Sequence, residues 1–127
     1  MNYGISRTVT MGFEECEARI KESLMEQGFG VLTEIDIQKA FQEKLGIEFS
    51  RYRILGACNP QLAHKALGME EYVGLLMPCN VVLWENPNAS VTVSIAKASS
   101  ILQCTDADLS SLAKEVDERL ATALQNL

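Results

Sequence analysis

The chain has 127 residues, of which 47% are hydrophobic and 22% charged. That length and balance fit one packed domain, residues 1–127, and exclude a disordered chain or a pair of ordinary domains. The net charge of −6, with basic residues scattered apart from Arg51 and Arg53, excludes a surface that tracks phosphates, which needs clustered Lys and Arg.

Tyr3, Ile5, Arg7 and Val9 alternate with Gly4, Ser6, Thr8 and Thr10, a period of two that predicts an opening strand. Met1–Thr10 has no apolar core of a signal peptide. The longest mostly apolar stretch, Val73–Trp84, is interrupted by Gly74, Pro78, Cys79 and Asn80 and is too short for a bilayer. The expected location is therefore cytoplasmic, with no membrane partner, and there the four cysteines need not form a disulfide framework.

Phe13, Cys16, Ile20 and Leu24 then recur at helical spacing, with Glu14, Glu15, Glu17, Lys21 and Glu26 between them. This predicts an amphipathic helix over residues 13–27, stopped by Gly28, with the glutamates on its solvated face. Gly30–Ile35 reads as a second strand. Asp36 is placed to cap a short helix with Ile37, Phe41 and Leu45 as its stripe and Gly46 at its end.

Arg51–Ala57 reads as the third strand, with both arginines on one face, which suits an anion or, as is usual for a strand, solvent. Asn59-Pro60 follows as a helix start, a capping side chain ahead of proline in the first turn. Leu62, Ala63, Ala66 and Leu67 give that short helix its apolar face, and Gly68 ends it. Cys79–Glu85 and Ser90–Lys97, joined by Asn86-Pro87-Asn88-Ala89, read as a β-hairpin. Cys79, Val81 and Leu83 share one face of its first strand and Asn80, Val82 and Trp84 the other, so both faces need cover. Thr105 with Asp108 resembles a capping box, and Leu109, Leu112, Val116, Leu120, Ala123 and Leu127 mark a closing helix.

These elements predict an α+β, two-layer domain. Its antiparallel sheet has about five strands, with two long helices on one face. The order is strand-helix-four strands-helix, plus two short inserted helices. Leu24, Val93, Val116 and Leu120 are expected to be buried together.

Two short clusters carry the candidate chemistry. One is Gly56-Ala57-Cys58-Asn59-Pro60; the other, Met77-Pro78-Cys79-Asn80, looks like a shuffled copy with proline before the thiol. Cys58 directly precedes a helix start, a position that favours a thiolate and equally suits a small packed residue. If the third and fourth strands bring Cys58 and Cys79 together, the pair suits a reversible disulfide or a soft metal such as zinc. His64 is the only histidine that could add a ligand or a base. Asn59 and Asn80 also have structural roles open to them, as a helix cap and as a partner for backbone beside Pro78. Cys16 falls on the apolar stripe of the first helix, and Cys104 lies in no motif.

Three stretches resemble one family: Gln27–Asp36 with Lys44-Leu45-Gly46, Ile54–Ala63, and Gly74–Val82. In this order they are similar to the bacterial and archaeal family catalogued as domain of unknown function 302. The resemblance implies a small α+β fold like that of the TATA-binding protein and a tendency to form homodimers. It implies no activity, and a shared fold is no warrant for DNA binding in an acidic chain.

No phosphate loop, Ser-His-Asp set or zinc-protease motif is present. The leading expectation is a non-enzymatic, homodimeric binding domain. Its small-ligand or metal site would involve Cys58, Asn59, Cys79, Asn80 and His64. The alternatives are a thiol-redox or sulfur-transfer protein using Cys58, and a purely structural or partner-binding domain.

Overall fold

The change of period after Thr10 is realised as strand β1 (Gly4–Val9) followed by helix α1 (Phe13–Glu26) in the computed structural model, which describes residues 1–127. At the end of α1, Gly28 takes φ +84°. The Gly28 N–H reaches the Met25 carbonyl and the Phe29 N–H that of Leu24. This is a Schellman closure, and the buried Leu24 and Phe29 supply its apolar contact.

Next come β2 (Gly30–Asp36) and α2 (Ile37–Leu45). The Asp36 carboxylate accepts the Lys39 N–H at 3.0 Å, and Gly46 ends α2 at φ +65°. Strand β3 (Tyr52–Cys58) leads into α3 (Pro60–Met69) and a 3₁₀ strap (Glu71–Leu76). The hairpin is β4 (Cys79–Glu85) and β5 (Val91–Ala96), and the long closing helix is α5 (Ser110–Gln125).

Several boundaries differ from expectation. β3 starts and ends one residue later, β5 is shorter by one residue at each end, and α3 runs through Gly68 to Met69. A short helix, α4 (Ala98–Ile101), and a 3₁₀ turn (Leu102–Cys104) follow β5. Thr105 does not open α5: its hydroxyl donates to the Leu102 and Ala107 carbonyls, closing the preceding turn. Asp108 instead accepts the N–H and hydroxyl of Ser110, where α5 begins.

The sheet order is β1-β5-β4-β3-β2, antiparallel throughout, so the chain's first strand borders the C-terminal strand of the hairpin. On one face, Leu55, Ala57, Val81, Leu83, Val91, Val93 and Ile95 are buried against α1 and α5 in a single core that includes Leu24, Val116 and Leu120. Each buried Val, Leu or Ile among them contributes about 1.5–3 kcal/mol. The predicted two-layer α+β architecture is therefore the one observed. Arg7, on β1, donates to the Leu124, Gln125 and Leu127 carbonyls and so closes the C-terminal end of α5.

The opposite face has no long helix over it. Tyr52 and Trp84, cross-strand partners, stack with ring centroids 5.8 Å apart, beside the half-buried pair Ile54 and Val82. Toward β1 the face turns to hydroxyls: Thr8 bonds to Thr92 and Ser6 to Ser94. Helix α2 has no buried residue; Phe41 packs edge-on against Phe49 at 5.0 Å, while Leu45 and Ile47 stay exposed.

Two charge assignments are corrected. Glu17 is not on a solvated face: it is 6% exposed, and its Oε2 accepts from Arg53 Nη1 at 2.6 Å. Arg51 and Arg53 likewise do not face solvent away from the helices, because both guanidinium groups lie over the Phe13 ring and reach Glu14. The odd-numbered positions of β3 point to the helix layer, so this pairing of α1 with β3 follows from strand alternation. Glu17 Oε1 is buried without a hydrogen-bond partner, with the Lys21 ammonium 4.0 Å away.

Candidate functional site

The two Cys-Asn clusters meet at one end of the sheet. β3 leaves the sheet through Cys58-Asn59-Pro60, and its neighbour β4 enters it through Pro78-Cys79-Asn80. Because the strands are antiparallel, with Ala57 opposite Cys79 and Gly56 opposite Asn80, chain exit and chain entry fall side by side. The reversed order of the motifs follows directly. Proline has no N–H for a ladder, so each proline lies just outside the sheet, after the thiol in one strand and before it in the other. The Met77–Pro78 peptide is cis.

The asparagines do different work. Asn59 is buried, and its Oδ1 caps α3 by accepting the Leu62 N–H at 3.1 Å. A Cβ on Gly28 would lie 2.9 Å from Asn59 Nδ2, so the turn after α1 depends on glycine both for its φ and for this approach. Asn80 is a ladder residue whose side chain is exposed. On the same strands, a Cβ on Gly56 would stand 2.3 Å from Thr33 Oγ1 and 2.7 Å from the Pro78 ring. Gly56 thus lets Pro78 and Thr33 close over β3.

Behind the motifs lies a cavity of about 320 Å³, bounded by α3, the 3₁₀ strap, the α4 turn and α5. Nineteen residues line it, among them Cys58, Asn59, Cys79 and Asn80, and none carries a charge. Leu62, Ala66, Val73 and Val116 form buried parts of the wall, and Leu75, 83% exposed, belongs to its mouth. Asp117 stands outside the lining and is occupied: its carboxylate accepts the Ala98 and Ser99 N–H groups and so fixes the start of α4.

The four thiols are free. Burial, the neighbouring Cys58 and the Asp117 carboxylate push the Cys79 thiol up to about 11. Cys79 is therefore a neutral thiol at physiological pH. Cys16 is buried in the core as expected, where desolvation also raises its thiol. Cys104 is exposed and donates to the Ile101 carbonyl.

Of the five anticipated site residues, four share the cavity wall. His64 does not: it is exposed on α3 and forms no part of the lining. No group of three or more His, Cys, Asp or Glu side chains is arranged to hold a metal. Most of the wall was not anticipated. Val73, Leu75 and Leu76 come from the strap, and Ile101 and Leu102 from the turns after β5. The sequence signal for the strap was the apolar run Val73–Met77, which is too short for a helical stripe and does not alternate like a strand.

The fold and cavity define a small two-layer α+β domain with an apolar pocket at one end of a five-stranded antiparallel sheet. The chain matches the family described as "Domain of unknown function DUF302" over residues 5–127, and it belongs to that family. It is also similar to a solved structure, an uncharacterized conserved DUF302 protein from Bacillus stearothermophilus. The two share 30% identity with a TM-score of 0.91, covering 99% of this chain and 98% of the other. No curated protein matches the chain. The family carries no named function, and no helix is long and apolar enough to cross a membrane.

Proposed function

We propose that this domain is a non-enzymatic binding module that holds a small molecule in the cavity behind Cys58, Asn59, Cys79 and Asn80 and works as a homodimer. The observation that carries the reading is the cavity itself. At about 320 Å³ it lies at the lower end of the range of small-molecule pockets, roughly 300–1,000 Å³, and it has their usual make-up of apolar walls with a few polar groups. Dimerisation is supported by the sheet face without a helix over it, where Tyr52, Ile54, Val82 and Trp84 gather, because a second copy is the simplest cover for such a face.

Native mass spectrometry with elemental analysis of the purified protein tests both parts. The expected result is a dimer carrying a small organic molecule. A species of 14.0 kDa alone in sedimentation at micromolar concentration would remove the dimer. A cavity that stays silent to every member of a small-molecule library would remove the binding role.

A second reading is thiol-disulfide exchange between Cys58 and Cys79. The observation favouring it is that both thiols border one cavity and that Cys58 acts on the charge state of Cys79. Oxidised glutathione would accept the electron pair: Cys58 thiolate displaces one glutathione thiolate, and Cys79, once deprotonated, displaces the second. The intact protein would lose two hydrogens, and a protein that keeps only a mixed disulfide would contradict the pairing. Zinc, the third reading for the same two thiols, would register as stoichiometric metal in the elemental analysis.

A further inference from the structure

We infer that the ligand of this cavity is uncharged: an apolar molecule of about ten non-hydrogen atoms carrying no more than one hydroxyl, carbonyl or amide group. The inference rests on the binding role proposed above and goes on to specify the chemical class bound.

Three features of the wall carry it. First, none of the nineteen lining residues is charged, so an ionic group drawn inside would lose its water without finding a counter-ion. Second, the helix end nearest the motifs offers an anion little: Pro60 contributes no N–H, the Leu62 and Ala63 N–H groups go to Asn59, and only that of the exposed Gln61 is left. Third, the carboxylate acting on this end of the sheet is that of Asp117, which raises the Cys79 thiol and would repel an anion. Asp117 is also held by two backbone N–H groups, so it is not free to turn toward a cation.

Size follows from volume. An apolar cavity of about 150 Å³ accepts benzene, and this one is about twice as large at 320 Å³. What polar character the wall has comes from Asn59 and Asn80, two residues among nineteen. A ligand whose polarity is confined to a single hydroxyl, carbonyl or amide matches such a wall.

The test compares three probes of one length, 1-octanol, octanoate and octylammonium, each titrated into the full chain at pH 7.5. Backbone amide shifts of the wall residues Ala63, Ala66 and Leu102 report binding in the cavity. The expected result is saturable shifts with octanol and at least roughly tenfold weaker binding of both ions, because each ion must shed its hydration shell. Leu112→Phe, at a half-buried wall position, should reduce the octanol response by filling space. Equal or tighter binding of either ion in the cavity would overturn the inference while leaving the binding role intact. Cavity shifts with none of the three would overturn the binding role and the inference together.

Discussion

Gly56→Ala is the substitution that most directly links the sheet to the candidate site. The added Cβ would sit 2.3 Å from Thr33 Oγ1 and 2.7 Å from the Pro78 Cγ, against the ~3.5–4.0 Å at which non-bonded atoms rest. The first overlap is relieved cheaply, since Thr33 is exposed and rotates about χ1. The second is not: the Pro78 ring has no such rotation, and its chain neighbour Cys79 is in the cavity wall. Overpacking of this kind costs about 1–3 kcal/mol. Removing a glycine from the unfolded chain returns about 0.4–1 kcal/mol. The net loss is then about 1–2 kcal/mol. With an unfolding entropy of about 2.1 cal/mol/K per residue over 127 residues, that is a fall in Tm of roughly 4–8 °C. Urea melts at constant m-value measure it, and a Thr33→Ala background separates the two overlaps. The expected coupling with Thr33 is under about 0.5 kcal/mol, because Pro78 accounts for most of the cost. A Gly56→Ala protein as stable as the parent would refute the argument, as would full rescue by Thr33→Ala.

Leu120→Ala, at a buried position of α5 in the main core, should cost about 2–5 kcal/mol, and a denaturant melt unchanged within error would show that the helix face is misassigned. Glu34 is held below the usual carboxylate range, chiefly by its hydrogen bond to Lys21. Its folded value lies below its unfolded one, so its contribution is present at neutral pH and lost as pH falls through the folded value. Lys21→Met should therefore flatten the acid limb of the stability profile, and an unchanged limb would count against the pair. Cys79, pushed up to about 11 mainly by burial, has the opposite sign. Its contribution is complete below the unfolded thiol value and is lost as pH rises toward 11. Cys79→Ser should remove that alkaline loss. In the parent protein, iodoacetamide should modify Cys79 slowly at pH 7.5 and progressively faster up to pH 11; rapid modification of folded protein at pH 7.5 would contradict the buried, neutral thiol.

The fold was readable where local chemistry and tertiary need agree. Asp36 and Asn59 cap the helices they were expected to cap, and the Gly46 stop, β4 and the α1 stripe fall where period and turn residues put them. The errors share a physical cause. Thr105-Asp106-Ala107-Asp108 offers three capping side chains, and local spacing cannot tell which serves the earlier turn and which the long helix. Glu17 looked like a solvent residue because acidic side chains usually are; its burial depends on Arg53, 36 residues away in sequence. His64 drew notice by residue type alone, whereas its outward position on α3 is fixed by Leu62 and Ala66 facing inward. At the site, the motif residues were legible and the cavity was not, because its far wall comes from the strap and the turns after β5, which bear no regular period.

The two ends of β3 show why the cavity stands where it does. At the Arg53 end, α1 lies on the strand through Phe13, Glu14 and Glu17, and the ion pairs fill the space between helix and sheet. At the Cys58 end, the chain leaves β3, turns into α3 and re-enters the sheet at Cys79, so no strand continues there to carry side chains into the gap. Backbone groups at such an exit must still be satisfied, and here Asn59 caps α3 while prolines stand where donors would be unpaired. The surrounding elements supply Ala63, Ala66, Ala96 and Ala98 at the wall, side chains too short to fill it. Ordinary core packing would fill such a space with apolar side chains. A domain that instead leaves an uncharged gap beside two thiols and two amides has exchanged packing for a cavity, and that exchange is the physical basis for reading this end of the sheet as a binding site.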